Sequence, residues 1–390
     1  MNFNLRQSTI FLTLVGSRAY GFSSETSDWD YRGLSIPPLD TYIGINSRFE
    51  QAVDTGSSKQ VWKNYPDLVK PEADMQIMEL SKFCRLAADC NPSVIEILFS
   101  DESDFVYKNP VMDQLLENKN IFLSKRAKTR FCGYALSQLE RIKRHKRWID
   151  GENPNAKLLP PKRIDFDLPE VAVISSDQMG AADALIKQEV DKFIINQDEL
   201  PEHVKIELKL GLGRMLRDTW SAVNATPYPV GKGKLHENTQ EALEDAALHR
   251  GGYSENFIET LKKEKRYRAA CVNWQQYQNW LRDRNPARAE LEKKFGYDTK
   301  HACHLVRLIR MCREILETGN VLVKRPDAEE LRAIRLGLWS YEKVCEFAEK
   351  EDYELNDIMK KSILPSNPDN NKIQEIVYNM TLEFNRVKQC

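Results

Sequence analysis

Short apolar runs bounded by turn-forming residues dominate the first hundred positions of the chain. Residues 10–15 (IFLTLV) and 29–36 (WDYRGLSI) are rich in β-branched and aromatic side chains, which predicts two strands. Residues 74–80 (DMQIMEL) alternate enough between polar and apolar positions to predict a third strand. From Leu80 onward the apolar positions take up helical spacing. Up to about residue 105 the pattern therefore predicts a mixed α/β unit.

Beyond that point, apolar positions recur at helical spacing. A long pattern of this kind, uninterrupted by proline, covers residues 125–149. Further helices are expected at residues 178–193, 202–223, 254–281, 299–317, 326–349 and 371–387. The pattern thus predicts a small α/β unit followed by a larger, mainly helical body.

Composition narrows the class of protein. The chain has 390 residues and a formal net charge of -1, which argues against a wholly basic protein that coats nucleic acid. No apolar run approaches the ~20 residues of a membrane span, so no membrane partner is expected. The first residues lack the features of a signal peptide, and the eight cysteines are scattered without a C-x-x-C pair. These features are typical of a cytoplasmic protein with reduced thiols, and they leave the oligomeric state open.

One helical segment carries several residues that can bind metals. Cys303 and His304 are adjacent in the sequence HACH, so on a helix their side chains point roughly 100° apart. That divergence favours ordinary helix residues over a structural zinc site. A second pattern on the same helix, Lys300, His304, Arg307 and Met311, is interpreted as a packed face with a basic edge.

The stretch VGSRAYGFSSETSDWDYRG holds the most specific chemistry of the chain. Asp28 and Asp30 are two residues apart, so in an extended segment both carboxylates face the same side. Two acids so close repel each other unless a cation lies between them or one takes a proton. Carboxylate oxygens suit Mg²⁺ or Mn²⁺. Gly16-Ser17, at the end of the first strand, could bring backbone N–H groups and a hydroxyl to phosphate oxygens.

This arrangement resembles the DNA polymerase β-like nucleotidyltransferase superfamily. The superfamily motif is hG[GS], a spacer of about ten residues and Dh[DE]h, and here it reads VGS, a spacer and DWDY. The longer text GSRAYGFSSETSDWDYRG is similar to one branch, the predicted nucleotidyltransferases of bacteria and phages that are associated with RNA repair. The resemblance continues through later blocks, which indicate family membership and say little about chemistry. These are ELSKFCRLAADCNPSVIEILFS, RFCGYALSQLERIKRHKRW, RNPARAELEKKFGYDTKHACHLVRLIRM and VKRPDAEELRAIRLG.

The resemblance implies an enzyme that uses Mg²⁺ (or Mn²⁺) and a nucleoside triphosphate (NTP). It would move a nucleoside monophosphate (NMP) to an acceptor hydroxyl and release pyrophosphate. The implied fold is α+β, with a small mixed-sheet catalytic domain over residues 1–105 and an α-helical domain over residues 106–390 that completes the cleft. An RNA or tRNA end is the favoured acceptor, and a protein side chain or a small molecule is the alternative. A catalytically silent module that binds nucleotide or RNA is a third hypothesis.

Specific positions match the superfamily motif. Gly16 and Ser17 match the phosphate-binding turn, and Asp28 and Asp30 match the metal-binding pair. Arg32, directly after the pair, could contact phosphate or could pair with a carboxylate.

The superfamily usually adds a third carboxylate on a neighbouring strand, which binds metal and assists deprotonation of the attacking hydroxyl. Asp74, at the head of the third predicted strand, is our candidate for this role. Glu79 is the competitor, and alternation places it on the opposite face of the same strand.

Residues 125–147 (KRAKTRFCGYALSQLERIKRHKR) are strongly basic, with the single acid Glu140. Such a helix could line the cleft and contact a triphosphate or a polynucleotide backbone, and a solvated charged face is the alternative. We expect Arg144 and Arg147 on its exposed side. The candidate nucleic-acid contacts are Arg141, Arg144, His145 and Arg147.

Overall fold

The structure is a computed structural model that describes residues 3–25, 27–43, 49–54, 60–149, 159–193, 244–245, 247–283 and 286–387. The chain divides into two compact units, Met1–Asn155 with Arg284–Cys390, and Ala156–Asp283. The helix expected at 202–223 lies outside the described residues.

A five-stranded mixed sheet forms the N-terminal part of the first unit. Its spatial order is β3-β4-β2-β1-β5. The strands are β1 (Thr9–Val15), β2 (Asp30–Ser35), β3 (Gln51–Val53), β4 (Asp74–Glu79) and β5 (Phe105–Lys108). β2 and β4 run parallel, whereas the other neighbouring pairs are antiparallel. The three strands predicted from the apolar runs are thus confirmed. β5 (FVYK) was not predicted, because its four residues are too few to show a period-two pattern.

Each face of the sheet packs against a separate core. Leu34, Ile36 and Met78 belong to the large core that includes the helices of the first unit. Tyr31 and Ile77, which alternate with them, belong to a smaller core on the other face. This period-two alternation assigns every residue of β2 and β4 to one face.

Of the helices expected in the first unit, those at 125–149, 299–317 and 371–387 are confirmed. Four short ones are α1 (Leu5–Ser8), α2 (Gly16–Ala19), α3 (Asp40–Ile43) and α6 (Asp113–Glu117). The others are α4 (Leu80–Ala88), α5 (Pro92–Leu98), α7 (Arg126–Ile149), α10 (Pro286–Phe295), α11 (Thr299–Thr318), α12 (Ala328–Arg335), α13 (Tyr341–Lys361) and α14 (Asn370–Val387). 3₁₀ turns cover Val61–Asn64, Glu102–Asp104, Pro110–Met112 and Lys119–Phe122.

The single helix expected at 326–349 is instead two helices. Gly337 follows α12 with a φ of 92°, a left-handed conformation that suits glycine and ends the helix. A Cβ at Gly337 would also lie 2.4 Å from the ring of Phe295, so the close approach of α10 requires glycine there. Ser340 then caps α13, because its side chain accepts a hydrogen bond from the Lys343 backbone N–H.

The second unit is helical in its described residues. It contains a 3₁₀ turn at Arg163–Phe166 and the helices α8 (Ser176–Phe193) and α9 (Glu255–Asp283). Its core includes Met179, Leu248 and Leu261. An ion pair joins the half-buried Arg163 to the buried Glu264. The helices predicted at 178–193 and 254–281 are confirmed.

The domain boundary predicted at residue 105 does not coincide with a break between compact units. β5 belongs to the same sheet as β1, and α7 and α11 pack together in the same unit. The functional division into a catalytic domain (1–105) and a domain that completes the cleft (106–390) stays a prediction. No helix of the described residues is long and apolar enough to cross a membrane.

Candidate active site

The Gly-Ser turn at the end of β1 lies against Asp30, the first residue of β2. Val15 and Asp30 are partners in the antiparallel β1–β2 ladder, so Gly16 follows directly beside Asp30. Gly16 has a φ of 73°, and a Cβ on it would lie 2.7 Å from Oδ2 of Asp30. Glycine is therefore required twice, for its left-handed backbone and for the space that the carboxylate occupies. Ser17, the next residue, is half-buried.

Arg18 holds the loop that joins the turn to the acids. Its guanidinium donates to the backbone carbonyl of Ser27 at 2.6 Å and to that of Asp28 at 3.2 Å. The same group lies 3.9 Å from the ring centroid of Trp29, a cation–π contact. These contacts fix the backbone on both sides of Asp28, whose side chain is exposed.

Asp30 and Asp74 lie side by side. They are direct partners in the parallel β2–β4 ladder, so their side chains share one face of the sheet. Burial raises the pKa of Asp30, and the negative charges of Asp74 and Asp28 raise it further, against the opposing effect of Arg32. Asp30 and Asp74 on the sheet and Asp28 in the preceding loop thus repel one another, and a cation would relieve that repulsion.

Arg32 pairs with a carboxylate. Its Nη1 lies 3.1 Å from Oδ1 of Asp74 and also donates to the Asp74 carbonyl at 3.1 Å. Of the two roles considered for Arg32, the structure therefore shows the ion pair. Because a guanidinium has five N–H donors, contact with a phosphate would still be open to its other nitrogen atoms.

Glu79 has a different environment at the other end of β4. Its side chain accepts hydrogen bonds from the backbone N–H groups of Ser81 (2.7 Å) and Lys82 (2.8 Å), and so caps α4. It also accepts from the Tyr42 hydroxyl at 2.9 Å. Glu79 is 5% exposed, and its partner in the β2–β4 ladder is Ser35. The structure brings Asp74 beside Asp30, and it does not bring Glu79 there.

Lys300 contributes a positive charge to the same site. This residue of α11 is exposed, and its charge lowers the pKa of Asp30. In the sequence, Lys300 stands out only as part of a basic stripe, because nothing in the local pattern links position 300 to position 30. The stripe was the signal that could have found it.

A buried network behind the turn connects α11 to the N-terminal sheet. The Tyr20 hydroxyl donates to Glu96 on α5, and Glu96 also pairs with Arg307 on α11. The guanidinium of Arg307 lies 4.0 Å from the ring centroid of Tyr20. All three side chains are buried. Arg307 is thus a structural partner of the segment after Ser17, and the packed-face interpretation of the α11 stripe holds for it.

The basic helix α7 exposes part of its predicted contact set. Arg141 and Arg147 are exposed, as a polynucleotide contact would require. The expectation that Arg144 lies on the exposed side is wrong. Arg144 is half-buried, its guanidinium lies 5.7 Å from the ring centroid of Trp148, and desolvation lowers its pKa. The side chain of His145 is 12% exposed and lies beside Asp298.

The carboxylates at the beginnings of β2 and β4 form a donor set that fits a divalent cation of the Mg²⁺ class. Asp28, Asp30 and Asp74 offer oxygen ligands alone, which is the preference of hard cations. Burial, and then the negative charges of Asp74 and Asp28, raise the pKa of Asp30, and a cation bound beside these groups would favour the ionised carboxylate. Gly16 adds a backbone surface against Asp30 that any larger side chain would fill.

Comparison with known proteins agrees with this geometry. Residues 3–158 match the model of RlaP, the RNA repair pathway DNA polymerase beta family. This part of the chain is therefore similar to the RlaP family. The RlaP match includes the Gly-Ser turn, all three carboxylates and the whole of α7, whereas Lys300 and Arg307 lie outside it.

A relative from a phage extends the likeness beyond the RlaP segment. The chain is 24% identical over 347 residues to the uncharacterised 38.9 kDa protein in the nrdC-mobD intergenic region of Enterobacteria phage T4. The alignment covers 87% of this chain and 86% of the phage protein. No solved structure matches the chain. The RlaP match indicates nucleotidyl transfer as the class of reaction. A phage or bacterial setting agrees with the phage relative.

Proposed function

We propose that the protein transfers an NMP from an NTP to an acceptor hydroxyl, with an RNA or tRNA end as the acceptor. The observation that carries this proposal is the juxtaposition of Asp30 with Asp74 in the parallel β2–β4 register, with Gly16 packed against the carboxylate of Asp30. The match of residues 3–158 to the RlaP family model supports this class of reaction.

The three carboxylates would hold the metal. Asp30 and Asp74 provide neighbouring oxygen ligands on one sheet face, and the exposed Asp28 provides another from the preceding loop. Mg²⁺ or Mn²⁺, when bound there, supplies charge neutralisation at the phosphates and lowers the barrier to displacement.

The residues of the chain would act on both substrates. The backbone of Gly16 and the hydroxyl of Ser17 would hold phosphate oxygens of the NTP. The acceptor oxygen forms a bond to the α-phosphorus as the bond from that phosphorus to the bridging oxygen breaks, and pyrophosphate leaves. The acceptor hydroxyl loses its proton to a carboxylate, and Asp74 is our candidate for that base.

The basic helix α7 supports a polynucleotide as the acceptor. Arg141 and Arg147 present exposed cations less than two helical turns apart, and the protein as a whole is close to neutral. A small-molecule acceptor would need an enclosed pocket and would not use an extended cationic face.

A labelling experiment tests both the reaction and the acceptor. The protein is incubated with each NTP labelled at the α-phosphate, with Mg²⁺ or Mn²⁺ and total RNA, and the products are digested separately with nuclease and protease. Metal-dependent label that nuclease releases and that Asp30→Asn abolishes supports the proposal. Label found only in protein or in a small molecule would overturn the RNA acceptor, and no label with any NTP would overturn the transfer activity.

A further inference from the structure

A cluster of metal-ligating side chains that includes none of the three carboxylates lies where α7 ends and α11 begins. His145 is near the C-terminal end of α7, Asp298 directly precedes α11, and His301 is in its first turn. One ligand atom from each lies within 4.8 Å of the other two. Two imidazoles and one carboxylate are a donor set that transition metals take and that Mg²⁺ does not prefer.

The distances within the cluster match those between ligands of one ion. Oδ2 of Asp298 lies 3.4 Å from Nδ1 of His145 and 3.5 Å from Nε2 of His301. Tetrahedral Zn²⁺ with bonds of about 2.0–2.1 Å separates its ligands by about 3.3–3.4 Å. An octahedral ion with similar bonds would separate neighbouring ligands by about 3.0 Å. A charge-assisted hydrogen bond is shorter still, at about 2.7–2.9 Å.

The surroundings orient the three ligands toward one point. Oδ1 of Asp298 accepts a hydrogen bond from the backbone N–H of His301 at 3.1 Å, which directs Oδ2 toward the two imidazoles. The ring of His145 stacks on Trp148, with 5.3 Å between centroids. Such contacts fix ring and carboxylate orientation in metal sites. The two histidine side chains are 12% and 13% exposed and that of Asp298 is 0% exposed, so the cluster is nearly enclosed.

We infer that His145, Asp298 and His301 bind a tetrahedral transition-metal dication of the Zn²⁺ class, with a fourth position open to water. The two imidazoles offer ligand atoms within 4.8 Å of each other, and the bound ion would bring these atoms to the separation of the third edge of the tetrahedron. The ion joins α7 to α11, and it fixes the first turn of the helix that carries Lys300. The HACH segment thus contributes one ligand, His301. Its partners are Asp298, three residues upstream, and the distant His145, and not Cys303 or His304.

Titration with Co²⁺ tests the site directly, because tetrahedral and octahedral Co²⁺ differ in the colour and intensity of their visible absorption. The titration uses the full chain after chelation, in an Asp30→Asn, Asp74→Asn background that removes the carboxylate site. We expect one equivalent of tetrahedral Co²⁺, displaced by Zn²⁺. His145→Asn and His301→Asn should each weaken binding by more than about tenfold. His249→Asn, which changes an exposed histidine of the second unit, is the matched control and should bind normally.

Two results would overturn the inference. The first is a folded protein that shows no tetrahedral Co²⁺ spectrum, a result that needs no histidine variant. The second is a spectrum that persists unchanged in both His145→Asn and His301→Asn. Thermal melts give an independent readout, since Zn²⁺ should raise the Tm of the His249→Asn control and leave that of a folded His301→Asn protein unchanged.

Discussion

The two ends of β4 carry carboxylates with opposite environments. Glu79 is buried, yet its oxygens receive hydrogen bonds from two backbone N–H groups and a tyrosine hydroxyl. Asp74 is half-buried, beside Asp30 and paired with Arg32. A carboxylate whose acceptor sites are filled by the fold has a structural role. A carboxylate held next to another carboxylate is suited to a ligand that the fold does not supply.

Substitution of the central acid should give the largest effect on activity. Asp30→Asn should reduce transfer by about a thousandfold or more, because a ligand of the metal that supplies several kcal/mol of stabilisation is lost. Near-normal turnover in this variant would show that Asp30 does not hold the metal.

The same variant should keep or gain stability. The folded-state pKa of Asp30 is raised, so the parent loses stability as pH rises from the ordinary aspartate range through that pKa. Asn lacks this titration. The Tm of Asp30→Asn at neutral pH should therefore equal or exceed that of the parent, as measured by circular dichroism, and a large fall in Tm would indicate a structural role instead.

A matched pair of substitutions separates the two ends of β4. Asp74→Ala should abolish transfer and leave the fold intact. Glu79→Ala should retain turnover but lose about 0.5–2 kcal/mol of stability, the cost of a missing N-cap. That loss would lower Tm by about 2–4 °C per kcal/mol for a unit of this size. If Glu79→Ala alone abolished transfer at saturating Mg²⁺, Glu79 and not Asp74 would be the third carboxylate of the site.

Lys300 offers a test of the electrostatics around Asp30. Its positive charge lowers the pKa of Asp30, so Lys300→Met should raise that pKa. Metal binding needs the carboxylate ionised, and the acid limb of the Mg²⁺ dependence should therefore move to higher pH. Lys293→Met, at an exposed position of α10, is the control and should leave the limb in place. If the acid limb moved equally in both variants, Lys300 would have no specific effect on Asp30.

The smallest effect is expected on RNA affinity. Arg141→Glu with Arg147→Glu reverses two exposed positive charges of α7. The salt slope of RNA binding should flatten by about 0.7 for each phosphate that is no longer neutralised. Lys360→Glu with Lys361→Glu makes the same change in net charge on α13 and should have little effect. NTP binding should survive in both proteins. Unchanged RNA labelling by the arginine variant would exclude α7 as the polynucleotide surface.

Local patterns in the sequence predicted the central strands and the motif that they carry. The spacing from Gly16 to Asp30 is short, and antiparallel pairing of the two strands makes a local motif of it. Alternation along β4 also separated Asp74 from Glu79 correctly, because a strand has only two faces.

Local patterns in the sequence do not predict contacts between segments that are distant along the chain. Helical periodicity shows which residues of α7 share a face, but it does not show which face α11 covers, and Arg144 was therefore misplaced. The packing of α11 against the rest of the unit brings Lys300 close enough to lower the pKa of Asp30. The same packing places His301 beside His145. Such pairings depend on tertiary structure and leave no periodic signal along the chain.

A double-mutant cycle of Mn²⁺ affinity would show whether Asp30 and Asp74 hold the same divalent cation. Electron paramagnetic resonance would measure free Mn²⁺ in the presence of NTP for the parent, Asp30→Asn, Asp74→Asn and the double variant, each with the His145, Asp298, His301 cluster disabled by His301→Asn. If both acids ligate one ion, each single change should weaken binding by more than about tenfold, and the double variant should bind little worse than either single one. If the losses of binding free energy in the two single variants simply add, or if Mn²⁺ affinity survives both changes, Asp30 and Asp74 do not hold the same ion.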